Sequence, residues 1–415
     1  MSKIDRLAVS LEDLTLTPTS WQRNLAANFV AELMAMAAFT FVDPLMPLYI
    51  QQVGGLTTTQ AAFWAGLAAS GLGAAMFFIS PVWGMVADRS GRKLMVMRAM
   101  FGGALILSLM SIAPNVYLIV ILRCLQGFVT GSVAAMTALA SSTVPRSKMS
   151  FAMGIIMLAV FCGQSVGPLI GGIVAEHFGY TVTFYSSGAF LLMAGLTVLF
   201  LVKEHFEPLP RPSGGSLRAM LALAKSPQML PLLAVLALIS VGQGAVGPII
   251  SLRVKELVGE NGAAMTSGII FSLVGLAAAG ASVMSGRLGE TLSLPRILVI
   301  CSLAVGIAYI PSMWAGSAIL LGVFLAMAGV FRGGLSTSSN AMVGLSVVAG
   351  QEGLAYGLSQ SAGSLGGALG PLLGGGIARA VGLSPVFLAS GGVYLIVGLL
   401  AFRWLMARRV KRIAG

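Results

Sequence analysis

Four ionisable side chains stand where charge is costly. Glu32, Asp43, Arg123 and Arg332 each lie inside a long apolar run. A carboxyl in such a setting can take up and release a proton, and a guanidinium there needs an anion beside it. Moving protons and holding charged ligands are the chemistries this set suits. Bond-breaking catalysis is not among them. The only histidines, His177 and His205, fall in polar connections, and Cys124, Cys162 and Cys301 lack metal-ligand spacing. The chain is therefore read as no enzyme, with no metal and no cofactor.

Glu32 lies about 8 residues into its run, or about 12 Å along a helix. Asp43 follows eleven residues later. Eleven steps of about 100° nearly close three turns, so both acids are expected on one side. Pro44 and Pro47 follow at once and should loosen the helix by removing backbone donors. Arg123 falls at a depth between the two acids, which makes one of them its expected partner. Plainer readings stay open: a water-exposed Asp43, a Glu32 locked in a hydrogen bond, a purely structural Arg123 ion pair. Arg332 lies about 15 residues into its run, about 22 Å along. It could neutralise a carboxylate, hold the anionic part of a ligand, or pair with helix carbonyls. Phe39, Gln126, Gln243, Phe331, Asn340 and Gln360 could join Arg332 around a cavity of mixed aromatic and polar surface, suited to amphipathic compounds.

The elements that must position these groups are membrane helices. The chain is 57% hydrophobic and 9% charged, with a mean hydropathy of +0.93, against about 25% charged residues in globular chains. Its apolar runs repeatedly reach the roughly 20 residues that cross hydrocarbon. Twelve spans are read, near 25–50, 61–86, 95–113, 116–142, 150–176, 182–202, 229–253, 264–288, 295–313, 317–345, 354–380 and 385–406. The first 24 residues lack the apolar core of a cleavable signal. Net charge is +12, and its distribution excludes a nucleic-acid reading. With a cytoplasmic N-terminus, 20 of the 25 Lys and Arg fall in cytoplasmic segments or in the adjoining turn of a span, as the positive-inside rule requires. Both termini are then cytoplasmic.

Between spans 2 and 3 stands Gly84-x-x-x-Asp88-Arg89-x-Gly91-Arg92-Lys93, a tight basic turn that must emerge into water. Residues 203–228 form the longest interior polar stretch and contain Pro208, Pro210 and Pro212, which marks a linker. The two sides of the linker repeat one another. Gly163-x-x-x-Gly167-Pro168-x-x-Gly171-Gly172 recurs as Gly366-x-x-x-Gly370-Pro371-x-x-Gly374-Gly375, offset by 203. Gly127 and Gly131 match Gly329 and Gly333 at 202, and Pro44 and Leu48 match Pro248 and Leu252 at 204. Such near-constant offsets mark duplication of a six-helix unit, the architecture of alternating-access carriers.

The basic turn resembles the signature loop of the major facilitator superfamily. Asp43-x-x-x-Pro47, Arg123-x-x-Gln126-Gly127 and the span-5 run resemble its twelve-span drug:proton antiporters. Trp21-Gln-Arg-Asn-Leu, Pro44-Leu-Met-Pro-Leu-Tyr49 and Ser80-Pro-Val-Trp-Gly84 are similar to bacterial exporters of the fosfomycin- and deoxycholate-resistance type. The resemblance implies an all-α membrane protein of major facilitator fold. It implies 12 transmembrane helices in two pseudo-symmetric six-helix bundles, 1–202 and 229–415, joined by a cytoplasmic linker at 203–228. It implies proton-coupled export of amphipathic drugs or toxic compounds from the bacterial inner membrane, driven by the proton motive force and carried out by a monomer. Export of one metabolite, siderophore or sugar is the alternative. Glu32, Asp43 and Arg123 would couple protons. Gly84, Asp88, Arg89, Gly91 and Arg92 would gate, with Asp88 latching near the start of span 11. Gly163, Gly167, Pro168, Gly370 and Pro371 would serve motion or tight packing. The pattern fades in the second half, where Leu325 stands at the position matching Arg123, so coupling is expected in the first half.

Overall fold

Hydrocarbon offers no partner to backbone polar groups, so a chain this apolar folds into helices. The computed structural model describes residues 18–131, 135–136, 139–140, 143–145, 149–204, 223–227, 229–288, 292–346 and 352–413; at some helical positions, 84–85 and 87–89 among them, it describes backbone alone. Span 1 is two helices, Pro18–Val42 and Met46–Gly54. Span 2 is Thr58–Ser90, span 3 is Arg92–Met110, and span 4 opens as Val116–Val129. Met149–Leu201 is one helical track broken at Gly179 (φ 80, ψ 169), which divides it into spans 5 and 6. Spans 7 to 12 are Met229–Val258, Ala263–Leu288, Leu294–Ser312, Ala318–Leu345, Glu352–Val381 and Ser384–Ile413. Among the described residues, nine helices are long and apolar enough to cross a membrane, with Gly154–Leu201 counted once. At 1.5 Å per residue that stretch is about 72 Å long, enough for two crossings. The all-helical, twelve-span architecture is the expected one.

Two spans differ from their reading as continuous helices. Span 1 breaks at residues 43–45, where the N–H of Leu45 donates to the Val42 carbonyl in a three-residue turn. Pro44 cannot donate to the helix, and Pro47 opens the next helix at its tolerant first turn. Span 4 was expected to run to residue 142. Its first helix ends at Val129, with Thr130 extended and Gly131 at φ 119, a conformation open to glycine, and residues 135–136, 139–140 and 143 are helical again.

The duplication is visible in the packing. Span 1 packs on span 5, 2 on 4 and 3 on 6; span 7 packs on 11, 8 on 10 and 9 on 12. The contacts correspond residue by residue. A Cβ added at Gly171 would strike the Phe41 carbonyl, and one at Gly374 would strike that of Ala245. Gly127 faces the Leu72 carbonyl and Gly329 that of Val274. Ser187 donates to the Ala38 carbonyl at 2.6 Å and Ser390 to that of Gly242 at 3.1 Å. Without a hydrophobic drive between helices in lipid, such backbone-to-backbone approach is what holds them.

Spans 1 and 7 start at the face where residues 203 and 223 lie, here called the linker face. Residues near 44–60, 176–180, 250–264 and 376–386 lie at the opposite, far face. Two crossed interfaces join the halves, span 2 against 11 and span 5 against 8. Gly66 fits under the Pro371 carbonyl and Gly268 under the Pro168 carbonyl; Gly375 meets Ala62 and Gly172 meets Ala264. Midway along, Gly73 meets Gly367 and Gly275 meets Ser165. Towards the linker face, added Cβ atoms at Gly154, Gly280 and Gly357 would meet open space. Among the described residues, the close glycine contacts between the halves lie at the far face and midway along, and none lies towards the linker face. Leu45, Leu48, Ala61, Ala62 and Ala175, all towards the far face, are the first-half residues that join the buried apolar cluster of the second half.

Candidate functional site

The break in span 1 presents Asp43 to span 4. Arg123 Nη1 lies 2.9 Å from Asp43 Oδ1 and also donates to Gln126 Oε1 at 3.2 Å. The Arg123 side chain is 6% exposed and that of Asp43 is 55% exposed. The cation is thus sunk in the bundle while its carboxylate reaches open space. Gln126 is buried and belongs to this ion pair. Of the two span-1 acids, the structure gives Arg123 to Asp43.

Glu32 has a different setting. It is 0% exposed, and neither carboxylate oxygen has a hydrogen-bond partner among the described residues. Asn28, one turn earlier on the same face, is equally buried and equally unpartnered. A further turn back, Asn24 Nδ2 donates to the Lys203 carbonyl at 3.0 Å, and Asn24 Oδ1 accepts the Lys203 N–H at 3.1 Å. Asn24, Asn28 and Glu32 therefore form a polar line along one face of span 1. Sequence reading found only its last member; the spacing of four was the available signal. Phe39 lies against Gly103 of span 3 and packs on the first-half core, so its ring fills the bundle.

The basic turn does local work. Gly91 has φ 93, a conformation that favours glycine, and it precedes span 3. The Glu204 carboxylate accepts the N–H groups of Arg92 at 3.0 Å and Lys93 at 2.8 Å. Lys93 Nζ donates to the carbonyls of Leu199 at 2.8 Å and Val202 at 2.7 Å. An anion closes the positive start of span 3 and a cation closes the negative end of span 6. Arg98, in the first turns of span 3, lies over the Trp83 ring at 3.6 Å. Trp83 in turn donates to the Phe128 carbonyl at 2.6 Å. Gly84, Asp88 and Arg89 are helical in backbone; their side chains, and Asp88's expected contact with span 11, lie outside what is described. So do linker residues 205–222 and 228.

Gly163, Gly167 and Gly370 sit inside the pairs 1–5 and 7–11, each within one half, whereas the Pro168 and Pro371 carbonyls sit between the halves. In the second half, Gln243, Asn340 and Gln360 are exposed on spans 7, 10 and 11. Phe331 packs against the second-half core. Arg332 is half-buried, within electrostatic reach of Tyr394, and has no hydrogen bond or ion pair among the described residues. Those residues hold no cluster of three or more metal-ligating side chains.

The family description Major Facilitator Superfamily matches residues 29–319 and 257–414. The chain is 31% identical to the multidrug resistance protein MdtG of Klebsiella pneumoniae (strain 342) over 381 residues, 91% of this chain and 92% of that one. It is 30% identical to MdtG of Escherichia coli O1:K1 over 401 residues, 96% and 98% of the two chains. Its fold is that of a bacterial homologue of the lysosomal transporter Spinster in an inward-facing, occupied conformation, with a TM-score of 0.79 at 15% identity over 94% and 98% of the chains. The human organic anion transporter TETRAN matches with a TM-score of 0.70 at 19% identity over 93% and 100%. Joined to the duplicated twelve-span fold, the family match places this chain as a member of the major facilitator superfamily.

Proposed function

We propose that this integral membrane protein exports amphipathic, toxic compounds in exchange for protons, by alternating access. The observation that carries the reading is similarity to multidrug resistance proteins along almost the whole chain. Physical features support the proton half. Arg123 is a buried cation whose only charged partner among the described residues, Asp43, faces open space. Protonation of Asp43 would release Arg123, and release of a buried cation must be matched by movement or by another anion. Glu32 is a second carboxyl, fully buried and without a partner among the described residues, and it can change charge only by exchanging a proton.

In this reading the linker face is cytoplasmic, because the sequence segments that join the spans on that side carry most of the Lys and Arg. The conformation described is then open to the cytoplasm. Gln243, Arg332, Asn340 and Gln360 supply the polar part of the substrate path, and the protein works as a monomer in the bacterial inner membrane. A susceptibility panel in an efflux-deficient bacterium, followed by proton-flux measurements in reconstituted vesicles, tests it. Compounds should become less toxic on expression and should drive proton movement when added to the vesicles. Drug movement without proton movement would remove the coupling. A cysteine at Ser213 should resist impermeant thiol reagents in intact cells and react in inverted vesicles; the reverse pattern would invert the orientation.

A further inference from the structure

At the far face, Glu176 closes the end of span 5 and Gly262 opens span 8 in the other half. Glu176 Oε1 accepts the Gly262 N–H. Gly262 has φ 87 and stands just before the helix that begins at Ala263. Its carbonyl already closes the first turn by accepting the Thr266 N–H. Its own N–H has no acceptor inside span 8, and that helix carries no acidic residue in its first turn. A helix start of this kind attracts a carboxylate, and the carboxylate comes from the opposite half. The surroundings are defined. Tyr180 lies within electrostatic reach of Glu176 and Glu260, and its ring packs on both apolar clusters. Glu260 is paired with Lys255 at 2.9 Å, Arg253 with Glu256 at 2.8 Å, and His177 follows Glu176 in the chain.

We infer that Glu176 is a latch for the conformation closed at the far face, capping span 8 across the two halves. The contact crowns the interface where Gly268 meets Pro168 and Gly172 meets Ala264. Parting of spans 5 and 8 at the far face must break it. Only contacts made in one state and absent from the other bias a two-state equilibrium, and a charge-assisted bond is the strong kind. The companion interface of spans 2 and 11 ends instead in a cation over a ring, Arg379 above Phe63 at 5.0 Å. Glu176 is therefore the carboxylate gate of this face. It couples far-face opening to loss of one ionic cap.

The test measures distance. Spin labels are placed at Gln52 and Val258, both exposed at the far face, with the three native cysteines replaced. Distance distributions are recorded on the purified full-length chain carrying native Glu176, Glu176→Gln or Glu176→Ala. The alanine variant should raise the ratio of long to short distances about tenfold. The glutamine variant should fall between, because an amide oxygen accepts the bond without the charge. Glu260→Gln, a change at an acid on the same face whose side chain pairs with Lys255 and does not cap span 8, should leave the ratio unchanged. If the alanine variant does not purify as a single species, the glutamine variant carries the comparison. Equal ratios for native Glu176 and the variants would overturn the latch, and so would an equal shift from Glu260→Gln. The inference requires alternating access but no particular cargo. Its failure would leave the export reading standing, and failure of the export reading would leave these distances interpretable.

Discussion

Arg123 and Asp43 join span 4 to span 1 through a 2.9 Å contact in which the cation is 6% exposed and the carboxylate 55%. The asymmetry separates a coupling role from a stabilising one. A half-exposed carboxylate is well screened, so it contributes little to stability. Asn keeps an oxygen able to accept from Arg123. Asp43→Asn should still lower stability by about 1–3 kcal/mol, while proton-driven export falls by tenfold or more. Thermal unfolding in detergent and vesicle transport check the two halves. Full transport by Asp43→Asn would reduce the pair to packing.

Glu32 gives a sharper separation. The side chain has no partner to lose among the described residues, so Glu32→Gln should change stability by no more than about 1–2 kcal/mol. The amide cannot exchange a proton. Export should lose its dependence on the proton gradient, and its rate should flatten against pH. The two variants can be ranked by measuring both at several internal pH values. Export by Glu32→Gln that still follows the gradient would place coupling on Asp43 alone.

Much of this arrangement was legible because duplication leaves offsets in the chain. The span-5 glycine run and its span-11 copy located the residues that meet Phe41 and Ala245 in corresponding places. Arg123's need for an anion pointed to span 1 before any distance was known. Other features depend on phase or long range. Gly131 was read only as the counterpart of Gly333 in the repeat, whereas its positive φ ends a helix; spacing alone does not reveal that use. Arg98 sits near a span boundary, where depth cannot be counted from hydropathy, and only the Trp83 ring reveals its environment. Glu204 caps a helix that begins 112 residues earlier in the chain, beyond any local pattern.

That long-range cap makes a stability prediction. Glu204 supplies both acceptors at the start of span 3 and sits beside the Lys203–Asn24 contact to span 1. Glu204→Ala should cost about 0.5–2 kcal/mol, the range for loss of an N-cap. Lys93→Met, which frees the Leu199 and Val202 carbonyls, should cost about 0.3–1 kcal/mol. Melting in detergent reads both. An unchanged midpoint for Glu204→Ala would show that water caps span 3 equally well.

Arg332 carries the prediction about cargo. Thr130 occupies its place in the first half, so the cation belongs to the second half alone. It lies 14 residues beyond the first residue of span 10, about 21 Å along the helix. No carboxylate among the described residues pairs with it. A half-buried guanidinium without an anion among the described residues holds its planar fork ready for a carboxylate or phosphate from outside. Arg332→Gln should weaken export of anionic and zwitterionic compounds by about tenfold, since a lost charged hydrogen bond is about 1.5 kcal/mol or more. Cationic compounds should be spared or exported faster. Arg332→Lys should recover only part of the loss, because an ammonium keeps the charge without the fork. Efflux assays with matched anionic, zwitterionic and cationic members of one drug series decide the matter. Equal loss for every charge class would assign Arg332 to the conformational cycle, and unchanged transport of all of them would remove it from the substrate path.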